Sequence, residues 1–140
     1  MTRIFLFVAI VLLSGCKKNT LSGEDLHYLN GYWEIIEVEF PDGAKKEYSV
    51  NPSIDFIQLN GNEGFRKKMQ PKFDGSYNTS NDAELFTVVK TEDHFALYYK
   101  NSFDDWTETL VKLDSTSFSV INEAGIQYTY RRFQPIAIPK

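Results

Sequence analysis

The sequence predicts an all-β protein, a small antiparallel up-and-down β-barrel of about eight or nine strands. Three observations predict it. Aromatic residues make up 15% of the chain, with eleven Phe and eight Tyr, a bias toward strands. Short runs of alternating apolar and polar residues recur at spacings of roughly ten residues, with turn residues between them. No helical run is long enough for the crossover that a parallel sheet requires. Closing a small sheet into a barrel removes the exposed edges it would otherwise have to protect.

The chain has 140 residues, enough for one domain with a core that needs no disulfide or metal. Charged residues are 24% and hydrophobic residues 42%, which argues against disorder. The formal charge is −4. Phosphate contacts need clustered Lys or Arg, so this acidic balance excludes a nucleic-acid binder. There is one cysteine, Cys16, which has no partner for an internal disulfide.

Residues 1–15 read as a secretory signal. Arg3 opens it, Ile4 to Leu13 is an unbroken apolar run, and Ser14 and Gly15 are small residues before Cys16. The run is too short to span a bilayer as a helix. Leu13-Ser14-Gly15-Cys16 resembles the bacterial lipobox. That resemblance implies cleavage before Cys16, lipidation of its thiol and acylation of the new amine, so the protein is anchored by acyl chains such as palmitate. Without Arg3 the remainder holds 14 basic and 19 acidic side chains, a net −5. Lys17 and Lys18 follow, with no acidic residue before Glu24. The resemblance then favours the outer membrane and a periplasm-facing orientation over the cell surface.

Residues 16–28 are the lipidated cysteine and a polar tether, and residues 29–135 are the barrel. Glu24 to Leu29 predicts a single helical turn, capped by Ser22 or Gly23, with Leu26 and Leu29 on one face. Gly31 to Phe40 is the first strand. Ile36, Val38 and Phe40 alternate with Glu37 and Glu39, whereas Trp33 and Ile35 have the opposite parity, so a bulge is expected near Ile35 and Ile36. Pro41-Asp42-Gly43 turns the chain. Lys45 to Val50 and Ile54 to Leu59 follow as strands, and Asn60-Gly61-Asn62 is a hairpin turn. Gly64 to Gln70 is the fourth strand, with Phe65, Lys67 and Met69 opposite Arg66 and Lys68. Residues 71–83 read as the longest loop. The remaining strands are Glu84 to Thr91, His94 to Asn101, Trp106 to Leu113, Ser117 to Asn122 and Ile126 to Phe133.

Leu29-Asn30-Gly31-Tyr32-Trp33 resembles the Gly-x-Trp entry of the lipocalins, in particular the small lipocalin-like lipoproteins common in Bacteroidetes. The closing stretch Gly125 to Arg132 is similar to their last strand, in which an Arg lies over the first-strand Trp. The resemblance covers about Leu29 to Phe133. It implies that Trp33 plugs one end of the barrel and that Arg132, or else Arg131, stacks on it. It also implies an interior wide enough for side chains or one small ligand.

Tyr98, Tyr99, Trp106, Tyr128 and Tyr130 are the candidates to line such a pocket or its lip. Tyr98 and Tyr99 are adjacent on a strand, so one faces in and one out. Phe103-Asp104-Asp105-Trp106 is an aromatic and acidic turn suited to a binding lip. Asp74, Ser76, Asn78, Ser80 and Asp82 alternate like the oxygens of a calcium loop. That loop needs a Gly where Thr79 stands and a Glu where Leu85 stands, so it reads as polar loop. His27 and His94 have no partner at metal-site spacing. No nucleophile motif or phosphate loop appears. The expected function is a lipid-anchored, periplasm-facing binding protein for a small or hydrophobic ligand, not an enzyme, without cofactor or metal. The alternative is a solid barrel serving as accessory subunit of an outer-membrane protein complex.

Overall fold

The computed structural model describes residues 21–135. The signal segment, Cys16, Lys17 and Lys18 lie outside the described residues. Nine strands follow a short 3-10 helix, Gly23–Leu29. They are β1 (Gly31–Glu39), β2 (Lys45–Glu47), β3 (Ile54–Asn60), β4 (Glu63–Pro71) and β5 (Tyr77–Lys90), then β6 (Phe95–Lys100), β7 (Asp105–Leu113), β8 (Ser117–Asn122) and β9 (Gln127–Arg132). Pairing runs in chain order from β3 to β9, and β1 pairs with both β3 and β9. Those eight antiparallel strands therefore close a barrel. β2 stands outside the ring, three exposed residues hydrogen-bonded to the far end of β1. A short, charged edge of this kind resists pairing with other chains.

The barrel has two different ends. At one end lie the 3-10 helix and the turns at residues 61–62, 91–94 and 114–116. At the other lie the turns at residues 40–44, 101–104 and 123–126, together with β2, whereas the hairpin tip at residues 72–76 folds back over the outer wall, where Tyr77 stacks on Tyr32 at 4.8 Å. The helix closes its end because Ser22 and Asp25 form a reciprocal capping box, which satisfies its first free N–H groups. Its last residue, Leu29, is fully buried over the core. Trp33, also fully buried, donates from Nε1 to the Leu29 carbonyl at 2.8 Å. Around them pack Ile57, Leu97, Leu110, Phe118 and Val120, the apolar filling of this half of the barrel.

A bulge between Ile35 and Glu37 shifts the register of β1 against β9. Trp33 and Ile35 face inward before it and Val38 after it, so one strand serves the core on both parities. Gly31 makes the approach to this strand possible. Its φ is +122°, and a β-carbon there would come within 2.5 Å of Arg132 Nη1. Gly31→Ala is expected to lower stability by about 1–3 kcal/mol, from backbone strain and displacement of Arg132. Urea denaturation measures it, and a loss below about 0.5 kcal/mol would show that the site relaxes freely.

Two expectations about the middle of the chain are corrected. Residues 71–83 are not a loop: β4 runs to Pro71 and β5 starts at Tyr77, so only residues 72–76 turn. Gly75 at φ +85° and the Asp74 carboxylate, which accepts from the Ser76 N–H at 2.9 Å, make that turn tight. Residues 78–83 are exposed throughout and bulge from the β4 ladder between Thr79 and Ala83, so this strand carries no apolar alternation to read. The second strand is also shorter than Lys45 to Val50, because Asn51 Nδ2 leaves the ladder to cap the Ile35 carbonyl at 2.9 Å. On β4 the basic parity faces inward: Arg66 is paired with Ile57 and Glu84, whereas Phe65 packs outside on Phe56 at 6.0 Å.

Candidate functional site

Alternation from Trp33 around the ring decides what fills the barrel. Asp55, Ile57, Arg66, Lys68, Glu84 and Phe86 continue the inner face through β3, β4 and β5. Tyr99, Trp106, Glu108, Asn122, Tyr128 and Tyr130 continue it through β6 to β9. The half beside the 3-10 helix is apolar. The opposite half is charged and aromatic, and it is open.

The closed end is held by Arg132. Its guanidinium lies 3.8 Å over the Trp33 ring and donates to the carbonyls of Tyr28 at 2.9 Å, Asn30 at 2.5 Å and Ser115 at 3.2 Å. Arg131 faces out, where Nε donates to Glu34 at 2.6 Å. The turn that offers the Ser115 carbonyl is fixed by Asp114. Backbone N–H groups of Thr116 and Ser117 donate to that carboxylate and hold its pKa down at about 2. Trp33 meets Phe118 edge-on at 4.7 Å, and Phe118 stacks on Tyr130 at 4.6 Å. Aromatic contact thus runs from the plug to the wall of the open half.

The open half holds a cavity of about 440 Å³, within the range of small-molecule sites. Trp106, Tyr128 and Tyr130 supply its aromatic wall, and Arg66, Lys68 and Glu108 its charges. Asn122, Glu123 and Ala124 stand at its mouth. Beneath it, Tyr99 is fully buried, stacked on Trp106 at 5.1 Å and 3°, with the Arg66 guanidinium 4.7 Å over its ring. Arg66 contacts Glu84 at 3.4 Å and Glu108 at 3.5 Å. Asp55, 2% exposed, meets Lys68 Nζ at 2.6 Å, an ion pair whose angle falls outside hydrogen-bond geometry. Arg66 Nε and the Tyr99 hydroxyl make no hydrogen bond among the described residues.

Burial raises the pKa of Glu108, with Arg66 opposing the rise. Burial raises the phenols of Tyr99 and Tyr130 as well, so both are neutral donors. Burial works against the charge of Arg66, but Tyr99, Glu108, Tyr130 and Glu84 outweigh it, and the guanidinium stays protonated.

Four of the five aromatic candidates therefore meet at this cavity: Tyr99 below it, and Trp106, Tyr128 and Tyr130 on its walls. Tyr98 is the exception and is corrected here. It points outward, donating to Asp105 at 2.8 Å, because its neighbour Tyr99 takes the inner face. Asp104 and Asp105 do not converge: Asp105 is spent on Tyr98, and Asp104 accepts from the Asp105 N–H at 2.8 Å. Phe103 projects from the turn, 96% exposed. His27 is bonded to the Glu24 carbonyl and His94 to Asp93 at the surface. Among the described residues no group of three or more His, Cys, Asp or Glu could hold a metal ion.

Sequence reasoning missed Asp55, Arg66, Lys68, Glu84 and Glu108 as interior groups. One signal was available: Glu108 stands on the parity of Trp106 and Leu110, a carboxylate on the apolar face of a strand. For Arg66 nothing local distinguishes the inner face from the outer.

Residues 29–120 match the family model described as a lipocalin-like domain. No curated protein matches. Among solved structures, a lipocalin-like protein from Bacteroides uniformis is 13% identical at a TM-score of 0.48, over 76% of this chain and 99% of that one. Apocrustacyanin C1 is 12% identical at 0.49, over 83% of this chain and 67% of that one. Lobster apocrustacyanin A1 is 14% identical at 0.45, over 79% and 63%.

Proposed function

Because this chain belongs to the lipocalin-like domain family, we propose that it is a lipid-anchored binding protein that holds a small molecule in the open half of its barrel. The observation that carries this reading is the cavity of about 440 Å³ between Trp106, Tyr128 and Tyr130, above a base sealed by Trp33. It is a mixed site of aromatic faces and charge, so the ligand is amphipathic rather than purely hydrophobic. Binding rather than catalysis is favoured because the turn carboxylates Asp104 and Asp105 point to different partners. Native mass spectrometry of residues 19–140, after incubation with a total lipid and metabolite extract, tests it. A retained mass is expected, and Trp106→Ala is expected to weaken its binding about 10-fold or more. A bare peak from the unaltered protein would overturn the reading.

The anchor rests on Leu13-Ser14-Gly15-Cys16. Cys16→Ser is expected to abolish lipidation and to leave an unprocessed precursor, seen as a larger band on a gel. Normal cleavage and membrane attachment would rule the anchor out. The tether reaches the barrel at its closed end, and the six residue steps from Cys16 to Ser22 span about 20 Å at most. An anchored protein would then hold its closed end toward the membrane and its mouth toward the periplasm.

A second reading, accessory subunit of an outer-membrane complex, is favoured by one observation. Phe40 and Phe103 are both exposed, and each belongs to a different turn at the mouth. Apolar rims of this kind mark contact surfaces. Cross-linking that captures one reproducible partner, lost in a Phe40→Ser/Phe103→Ser variant, would select this reading.

A further inference from the structure

Inside the barrel two carboxylates share one base. Glu84 and Glu108 both contact Arg66, and no other base lies within 4.0 Å of either among the described residues. Lys68 is taken by Asp55 at 2.6 Å. Both contacts to Arg66 are long for charge-assisted hydrogen bonds, which ordinarily close to roughly 2.7–2.9 Å. With both carboxylates ionised, the Arg66–Glu84–Glu108 group carries a net negative charge, and it is loosely tied. Glu108 is only 8% exposed, so that charge is held where water screens it poorly. Glu123 adds a further carboxylate at the mouth.

The surroundings offer a second attraction of the same sign. Trp106 and Tyr128 line the cavity, and aromatic faces draw cations toward them. Trp106 lies with one face on Tyr99, which holds the indole flat against the wall. An anion entering here would meet Glu123 and Glu108 beside Arg66, whose two terminal nitrogens are already engaged, and Lys68, whose ammonium is held on Asp55 at 2.6 Å. A neutral apolar chain would strip water from Glu108 and return nothing to it.

We propose that the cavity binds a small organic cation that carries an aromatic ring, an arylalkylamine or an arylamidine, with its charged nitrogen on Glu108 and its ring against Trp106 and Tyr128. This rests on the small-molecule reading above and names the ligand class. The cation would complete the neutralisation that Arg66 leaves unfinished, which a fixed side chain at that position would do permanently.

Three probes of nearly equal shape separate the outcomes: tryptamine, tryptophol and indole-3-propionate, titrated into the full chain by calorimetry at neutral pH. Tryptamine is expected to bind at least 10-fold more tightly than either of the others. Glu108→Gln, which keeps the shape and removes the charge, is expected to erase that preference. Glu123→Gln, at the exposed mouth, is expected to reduce it 2- to 3-fold and serves as the charge variant if Glu108→Gln does not fold. Tighter binding of indole-3-propionate, or equal binding of all three, would overturn the cation assignment. If none binds while the extract still leaves a retained mass, the ligand class is wrong and the binding reading stands. If none binds and the extract leaves nothing, both fail.

Discussion

Trp33→Ala is expected to destabilise the fold by about 3–5 kcal/mol, the range for removing a large aromatic side chain from a packed core. Three losses add at this one position. Its ring is fully buried between Leu29 and Phe118, so truncation leaves a cavity that the closed barrel cannot readily collapse. The Leu29 carbonyl loses the Nε1–H that ties the 3-10 helix to the barrel at 2.8 Å. Arg132 loses the ring beneath its guanidinium at 3.8 Å. In a domain of this size the loss corresponds to a fall in Tm of about 10–20 °C. Thermal and urea unfolding measure it, and a loss below about 0.5 kcal/mol would mean that the helix and the end of the barrel are not coupled.

Arg66→Met is expected to cost about 3–5 kcal/mol at pH 8, because it leaves Glu84 and Glu108 without their shared base. The penalty should depend on pH, and its sign follows from Glu108. Burial raises the pKa of that carboxyl in the folded protein even with Arg66 opposing. A group raised on folding contributes its stability below its unfolded pKa and loses it as pH climbs through the folded value. Removing Arg66 removes the opposing influence and raises the folded value further. The variant should therefore be closer to wild type at pH 5 than at pH 8, by about 1 kcal/mol or more, since a tenfold change in proton affinity is worth about 1.4 kcal/mol. Adding Glu108→Gln to the variant should flatten that dependence. Equal losses at both pH values would show that Glu108 is not the group responsible.

Much of this architecture was legible without coordinates, where local chemistry and burial agreed. Trp33 and Arg132 could be paired from the resemblance of their flanking stretches, and the bulge near Ile35 from a change of parity along β1. The capping box at Ser22 and the turns at Gly61 and Gly125 have local causes, so local sequence carries them. Residues 78–83 were misread for the converse reason. Their strand pairs with β4 at Asn78, Thr79 and Ala83 and bulges between them, and backbone pairing leaves no mark on side-chain identity.

The site divides in the same way. Tyr99, Trp106, Tyr128 and Tyr130 stood out as large aromatics on strands, and the inner face they share follows from alternation. Arg66 did not stand out, because a base flanked by Lys67 and Lys68 has the look of a solvated strand face. Sequence alone determined the all-β barrel with Trp33 in its opening strand, since period-2 alternation and turn chemistry are properties of neighbours along the chain. Only the closed ring decided that one end is packed and the other open, with Arg66 set between Glu84 and Glu108. Those groups come from three strands, and their meeting depends on registers set by pairing around the whole barrel. A one-residue slip in β4 would have put Arg66 in water and Phe65 in its place.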